Sequence, residues 1–296
     1  MEIVVIDNGS SDHTFELLKA YEGVRNFSYE KNDPTIDVSK NIFKLIARCR
    51  GVYFWCYGDD DLVPRGTIRD IVLLLDETSP NHLVMDRQDF HTTDEIDLRD
   101  TPTETVDYRI NDIQARFDRF DSLFSFITSN IYLRQNILRS FQERGAFLDN
   151  NYTNKYAAWM AARAGGVVFI EGRIAYKRCS IGQGSHFNEN LDLRVKTFIF
   201  DQVKVAKAIE KTDRELASLA LEKYLSVYRS FAKYKVAGAD IRAIIKELKA
   251  LGVPDRFLRS LRLISYAPVL LLRGAIAYKA FWRGLKAKAS HSISHD

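Results

Sequence analysis

Gly51-Val-Tyr-Phe-Trp-Cys-Tyr-Gly-Asp-Asp-Asp-Leu62 decides the fold: an apolar, aromatic run goes straight into three adjacent carboxylates. Such a run bounded by turn residues reads as a buried strand. The chain opens with the same grammar. Glu2-Ile-Val-Val-Ile6 is β-branched and apolar, and Asp7-Asn-Gly-Ser-Ser-Asp12 follows as a turn cluster. Helical spacing resumes at Thr14 and runs through Phe15, Leu18 and Tyr21, and a second alternation covers Val24–Tyr29. The spacing predicts a helix over 38–50, with Ile42, Leu45 and Ile46 on one face. A further helix is predicted over 66–76 and a strand over His82–Met85. Strands alternating with helices argue for an α/β sheet with parallel strands.

Further along, residues 86–122 are polar, acidic and weakly periodic, and are expected to form a long irregular stretch. A strand is expected over Phe124–Leu133, then a helix through Phe141. Tyr156–Ala164 reads as a helix closed by Gly165-Gly166, and Val167–Ile170 as a strand. From about residue 191 the pattern is almost wholly helical. The expected organisation is a domain over 1–190 and a helical region over 191–296.

The 296 residues carry 46% hydrophobic and 28% charged side chains, which excludes a collagen-like or wholly disordered chain. Three cysteines (Cys49, Cys56, Cys179) have no metal-ligand spacing and leave one unpaired, which favours a reducing, cytosolic compartment. No apolar run reaches the ~18 residues of a membrane span, and no signal peptide is visible. The net charge of +4 conceals an asymmetry. Residues 1–200 hold 24 basic and 30 acidic side chains, whereas residues 201–296 hold 19 and 9. The acidic part suits a cation and the basic part an anionic surface. Nucleic acid is not expected as a partner, because no Arg-rich aromatic motif appears.

Two acid-bearing strand ends carry the chemistry. Ligands of open α/β sheets bind at the C-terminal ends of the strands. Asp7 there can accept hydrogen bonds from a base or ribose, although Asp-Asn-Gly-Ser is also ordinary turn and cap chemistry. Asp59, Asp60 and Asp61 repel one another unless a cation offsets them, and hard oxygen donors suit Mg²⁺ or Mn²⁺ held together with phosphate oxygens. The bland alternative is a solvated acidic turn ahead of a helix. Both clusters together favour a nucleotide-diphosphate site.

These blocks, with Lys40-Asn41 between them, resemble the family 2 glycosyltransferases of the GT-A fold. The block ending in Leu62 is most like the branch holding abequosyltransferases and related O-antigen sugar transferases. The resemblance covers about residues 1–185, most specifically 1–75. It implies a mixed, mostly parallel sheet flanked by helices, with a C-terminal helical extension. It further implies a nucleotide-diphosphate sugar donor, a divalent cation, and transfer with inversion to a saccharide or lipid-linked acceptor in surface polysaccharide synthesis. Asp7, with Asn8, matches the acid that contacts the nucleotide. Lys40 stands where the family usually has Arg near the diphosphate. Asp60 matches the last acid of the family's Asp-x-Asp metal motif. The first falls on Gly58, so Asp59 or Asp61 must help.

Two departures stand out. The family's first strand and helix should precede Glu2 by roughly 30 residues, about one β–α unit. Their absence suggests a start lying upstream or a disrupted gene; the alternative function is an inactive remnant that only binds a membrane or a partner. Second, the family's Glu-Asp ahead of a helix falls on Asn154-Lys155. The nearest acid is Asp149, the candidate catalytic base, though Asp149-Asn150-Asn151 also reads as a polar turn. Ser129-Asn130 falls in the family's acceptor region and equally suits a helix cap.

Beyond Asp255 no acid occurs before Asp296, while basic residues interleave with Leu, Ile, Phe and Trp. Residues 257–296 therefore read as a peripheral anchor on the anionic cytoplasmic face of the inner membrane, or as an ordinary packing arm.

Overall fold

A computed structural model describes residues 1–96, 104–142, 150–178, 190–226 and 228–276. The chain divides into two compact units, Met1–Gln183 and Gly184–Asp296.

The first unit begins with a βαβ element. β1 (Ile3–Asp7) and β2 (Phe27–Lys31) pair in parallel, joined by α1 (Thr14–Lys19). Asp12 starts α1 by accepting the Thr14 amide at 3.0 Å. α2 (Val38–Arg48) is capped by Asp37, which accepts the Ser39 amide at 2.9 Å, and buries Ile46 completely.

The larger sheet has the order β3-β6-β4-β7-β5, built from β3 (Tyr53–Trp55), β4 (His82–Phe90), β5 (Glu104–Tyr108), β6 (Asn130–Leu133) and β7 (Val167–Arg178). β3, β4 and β7 run one way, with β6 and β5 against them. α3 (Thr67–Thr78), α4 (Ile110–Ala115), α5 (Phe117–Phe124), α6 (Arg134–Gln142) and α7 (Thr153–Ala164) connect and flank the strands. Alternation along β4 sorts the core. Leu83 and Met85 join Ile71 of α3, Ile131 and Ile170 in one cluster. His82 turns the other way, stacking on Tyr132 at 4.6 Å beside Phe124 of α5. Phe117 stacks on Trp159 of α7 at 5.2 Å, and Phe124 meets the same indole edge-on at 4.9 Å.

Several sequence expectations need correction. Residues 86–122 are not one irregular stretch: β4 continues to Phe90, and β5, α4 and α5 follow. The strand expected from Phe124 begins only at Asn130, because α5 ends at Phe124 and a 3₁₀ turn covers Ile127–Ser129. β7 runs eight residues past Ile170, its register against β4 shifting between Met85 and Asp86. Asn130 starts a strand rather than capping a helix.

No ladder joins β1 to β3 among the described residues. Their starts are tied by a side chain instead: Glu2 Oε1 accepts the Gly51 amide at 2.8 Å and the neighbouring Arg50 amide.

The second unit is helical in its described residues. α8 (Leu191–Val195) runs through a π-helical stretch (Lys196–Asp201) into α9 (Gln202–Ile209). Then come α10 (Arg214–Leu225), α11 (Tyr228–Val236), α12 (Ile241–Ala250) and α13 (Asp255–Tyr266). Asp213 and Asp240 cap α10 and α12. Ile241, Ile244, Ile245 and Leu248 bury one face of α12, and Leu258, Leu261 and Ile264 one face of α13, at helical spacing.

His82 carries a pH prediction. Asn130 donates its amide hydrogens to the carbonyls of Leu123 and Phe126, so its Oδ1 accepts from His82 Nε2 at 2.9 Å. Burial drives the imidazole's pKa down to about 3, against that hydrogen bond. The folded value lies below the unfolded one, so below pH ~6.5 the unfolded chain gains a proton that the folded chain refuses. Stability then falls with acidification at a slope approaching 1.4 kcal/mol per pH unit, about one proton's worth. Urea unfolding of the parent and His82→Phe at pH 6 and pH 5 should show the smaller slope in the variant. Equal slopes would refute a neutral buried His82.

Candidate active site

The site grows from two strand ends. Asp7 closes β1, and its side chain is almost fully enclosed. Oδ1 accepts the Ser10 amide at 2.9 Å, and Lys31, its register partner on β2, stands 3.8 Å from Oδ2. Burial opposes a charge here. The Ser10 hydroxyl and amide and the Lys31 ammonium outweigh it and hold the carboxyl below the usual aspartate value. Oδ2 is buried and accepts no hydrogen bond among the described residues. A charged oxygen so placed is ready for a ligand's donor.

The turn after Asp7 is fixed by its neighbour. Asn8 Nδ2 donates to the Ile36 carbonyl at 2.8 Å, and Asn8 Oδ1 accepts from Ile36 N and Asn32 Nδ2. Asn8 therefore spends its amide stapling the β1–α1 turn to the β2–α2 loop. Gly9 has φ of +87°, and a Cβ there would collide with Thr35 Oγ1, so the approach of these loops requires glycine. Asn32 is the hub that sequence reasoning missed: it also donates to Asn41 at 2.8 Å and accepts from Lys44 at 2.6 Å. Lys40 lies in the first turn of α2 with its side chain exposed. Beside it, Ser39 Oγ donates to the carbonyl of Asn150.

The second strand end is the Gly58–Asp61 turn. Asp61 is buried and faces inward, bonded to Thr128 Oγ1 and to the Arg178 amide at 3.4 Å. Burial, with the Asp60 charge, raises this carboxyl above its usual value despite the Thr128 bond. Thr128 also accepts the Gly58 amide at 3.0 Å, and Trp55 Nε1 donates to its carbonyl at 2.9 Å. Leu62 and Tyr176 exchange backbone bonds of 3.0 and 2.8 Å, pinning the turn to the end of β7. Asp59 and Asp60 are left exposed. The glycine at position 58 now has a reason: a Cβ there would stand 2.6 Å from Asp61 Oδ2. The Asp61 carboxylate fills the space into which a side chain at 58 would grow. Thr128 was invisible in the sequence because it acts across 67 positions.

The donor set fits a divalent cation of a particular kind. Among the described residues no three His, Cys, Asp or Glu side chains converge as a metal cage. Two exposed neighbouring carboxylates, Asp59 and Asp60, on a turn anchored from inside by Asp61, match a hard cation completed by phosphate oxygens. Asp61 accepts the Thr128 hydroxyl from inside the turn. Asp149 lies outside the described residues. Ser129 and Asn130 are fully buried, so neither side chain faces an acceptor. Among the described cysteines, burial pushes the Cys56 thiol up to about 12, a packing residue rather than a nucleophile.

Residues 1–141 match the family described as Glycosyl transferase family 2. Over 85 residues the chain is 26% identical to abequosyltransferase RfbV of Salmonella typhimurium (strain LT2), covering 28% of this chain and 26% of that protein. The match thus spans about a quarter of the curated relative. The crystal structure of S. aureus TarS 1-349 in complex with UDP-GlcNAc superposes with a TM-score of 0.59 at 14% identity, covering 94% of this chain and 83% of that one. A second crystal structure of TarS 1-349 gives 0.53 at 13% identity, covering 89% and 80%. The fold is the GT-A arrangement, and residues 1–141 are similar to glycosyltransferase family 2.

Proposed function

We propose that the chain transfers a sugar from a nucleotide-diphosphate donor, with inversion, to a saccharide or lipid-linked saccharide acceptor in cell-surface polysaccharide synthesis. The observation that carries this reading is the pair of acid-bearing strand ends, Asp7 with its unsatisfied Oδ2 and the exposed Asp59-Asp60, on a family 2 domain. The similarity to an abequosyltransferase and the fold shared with a UDP-GlcNAc complex support the donor class. Asp7 holds the nucleoside, Asn8 keeps its loop in place, and Lys40 neutralises the diphosphate. Asp59 and Asp60 hold Mg²⁺ or Mn²⁺, with Asp61 fixing their turn. The cation's contribution is to offset charge developing on the leaving diphosphate. Calorimetric titration with UDP-, GDP- and CDP-sugars, with and without Mn²⁺, tests the reading. A Mn²⁺-dependent heat with one of them is expected, and none with any would overturn it.

Asp149 is the proposed base, taking the proton of the attacking hydroxyl. Its neighbour Asn150 supports this, because the Ser39 bond sets the chain there beside the first turn of α2, which carries Lys40. Asp149→Asn should cut turnover by roughly 10²–10⁴ with donor binding kept, measured as nucleoside-diphosphate release. Near-normal turnover would move the base elsewhere.

The basic C-terminal part suits a peripheral position on the anionic cytoplasmic face of the inner membrane, where a lipid-linked acceptor resides. No helix of the described residues is long and apolar enough to cross a membrane. The exposed apolar side chains of the basic C-terminal part favour a second reading, a non-enzymatic protein that only binds a membrane or a partner, which the same titration separates from the first.

A further inference from the structure

The end of α13 is built as a corner. Lys235 of α11 donates to the carbonyls of Ile264, Ser265 and Ala267 at 2.9, 2.7 and 2.7 Å. The Ile264 carbonyl also takes the Ala267 amide at 3.2 Å, so the ammonium gathers carbonyls at a helix C-terminus, where a cation suits the helix dipole. Ala267 is extended, Pro268 follows, and helix resumes over 269–276, here α14. The inner face of α13 is buried, but Leu263, Tyr266, Leu270 and Leu271 are 75, 74, 80 and 67% exposed. Four large apolar side chains so close together on one fixed bend do nothing for the fold in water. Around them the chain is wholly basic: eight Lys and Arg and no acid lie between Asp255 and Asp296.

We infer that this corner is a wedge that inserts into an anionic lipid surface. The inference rests on the peripheral reading above and adds the residues that enter the bilayer. Apolar side chains on a bend with cationic flanks match acyl chains beneath anionic headgroups. A second copy of the chain would bring like charge to like charge. Lys235 is a positioning residue, since it acts by holding the bend.

Flotation of the full chain with phosphatidylcholine vesicles, with and without phosphatidylglycerol, tests the wedge. The parent should float with the anionic vesicles only. Leu270→Glu combined with Leu271→Glu should lower that binding roughly tenfold or more. Leu17→Glu, an equally exposed apolar site in the first unit, should leave it unchanged. If the double variant floats like the parent, the wedge is wrong and the peripheral reading stands. If the parent fails to float with anionic vesicles at low salt, both fall. A parent dimer that the double variant dissolves, with no flotation, would assign the corner to self-association instead.

Discussion

Asp60→Asn should abolish divalent-dependent donor binding, while Asp12→Asn should leave it intact. The two residues differ in what their turns are built to do. Asp12 accepts the Thr14 amide and hydroxyl at 3.0 and 2.6 Å, so its carboxylate is engaged in starting α1. Asp60 sits on a turn whose internal bonds are made by others, and its side chain is exposed. A cation completed by phosphate oxygens draws on one or two protein carboxylates, so losing one of two is severe. Thr128→Val extends the test inward. It removes the hydroxyl that bonds both Asp61 and the Gly58 amide, and should weaken Mn²⁺-dependent affinity by roughly 10–100-fold, the usual scale for groups that orient ligands. Calorimetry with the donor nucleotide reads all three. Equal Mn²⁺-dependent heats in Asp60→Asn and the parent would remove Asp60 from the metal site.

The parts of the fold that were legible in the sequence are those whose pattern is local. Val4, Val5 and Ile6 of β1 and Phe54 of β3 sit in apolar runs that stop at turn residues, and α2 shows its buried stripe in one window. β5 was not legible, because Glu104-Thr-Val-Asp-Tyr108 is a half-polar strand at the sheet edge that exists through its pairing with Val167–Glu171. α4 and α5 are too short for periodicity to stand out, and α5 is fixed by aromatic contacts with α7 and β7. The same division holds at the site. Asp7 and the acid run were readable as strand ends. The inward turn of Asp61, the staple made by Asn8 and the hub at Asn32 depend on partners far along the chain.

Lys155→Met should destabilise the chain by about 3–5 kcal/mol, the scale for removing one partner of a buried ion pair. Asn154-Lys155 occupies the register where the resemblance places two acids, and the structure shows why a base is not found there. Lys155 opens α7 with its ammonium 2.8 Å from Asp121 Oδ2 of α5, both side chains being 10% exposed or less. Burial pulls the lysine below its usual value, while the Asp121 charge and hydrogen bond oppose that pull. Asn154 is equally committed: its Nδ2 donates to the Phe124 carbonyl at 2.9 Å, and its own carbonyl accepts from Tyr132. The Lys155–Asp121 ion pair and the Asn154–Phe124 hydrogen bond thus clamp the start of α7 to α5. Losing the ammonium leaves the Asp121 carboxylate buried without that countercharge. Replacing both partners by apolar groups removes the stranded charge, so Lys155→Met with Asp121→Leu should recover most of the loss. Urea unfolding of the parent, the two single variants and the double variant closes the cycle. Additive single and double effects would show that the two charges do not depend on each other.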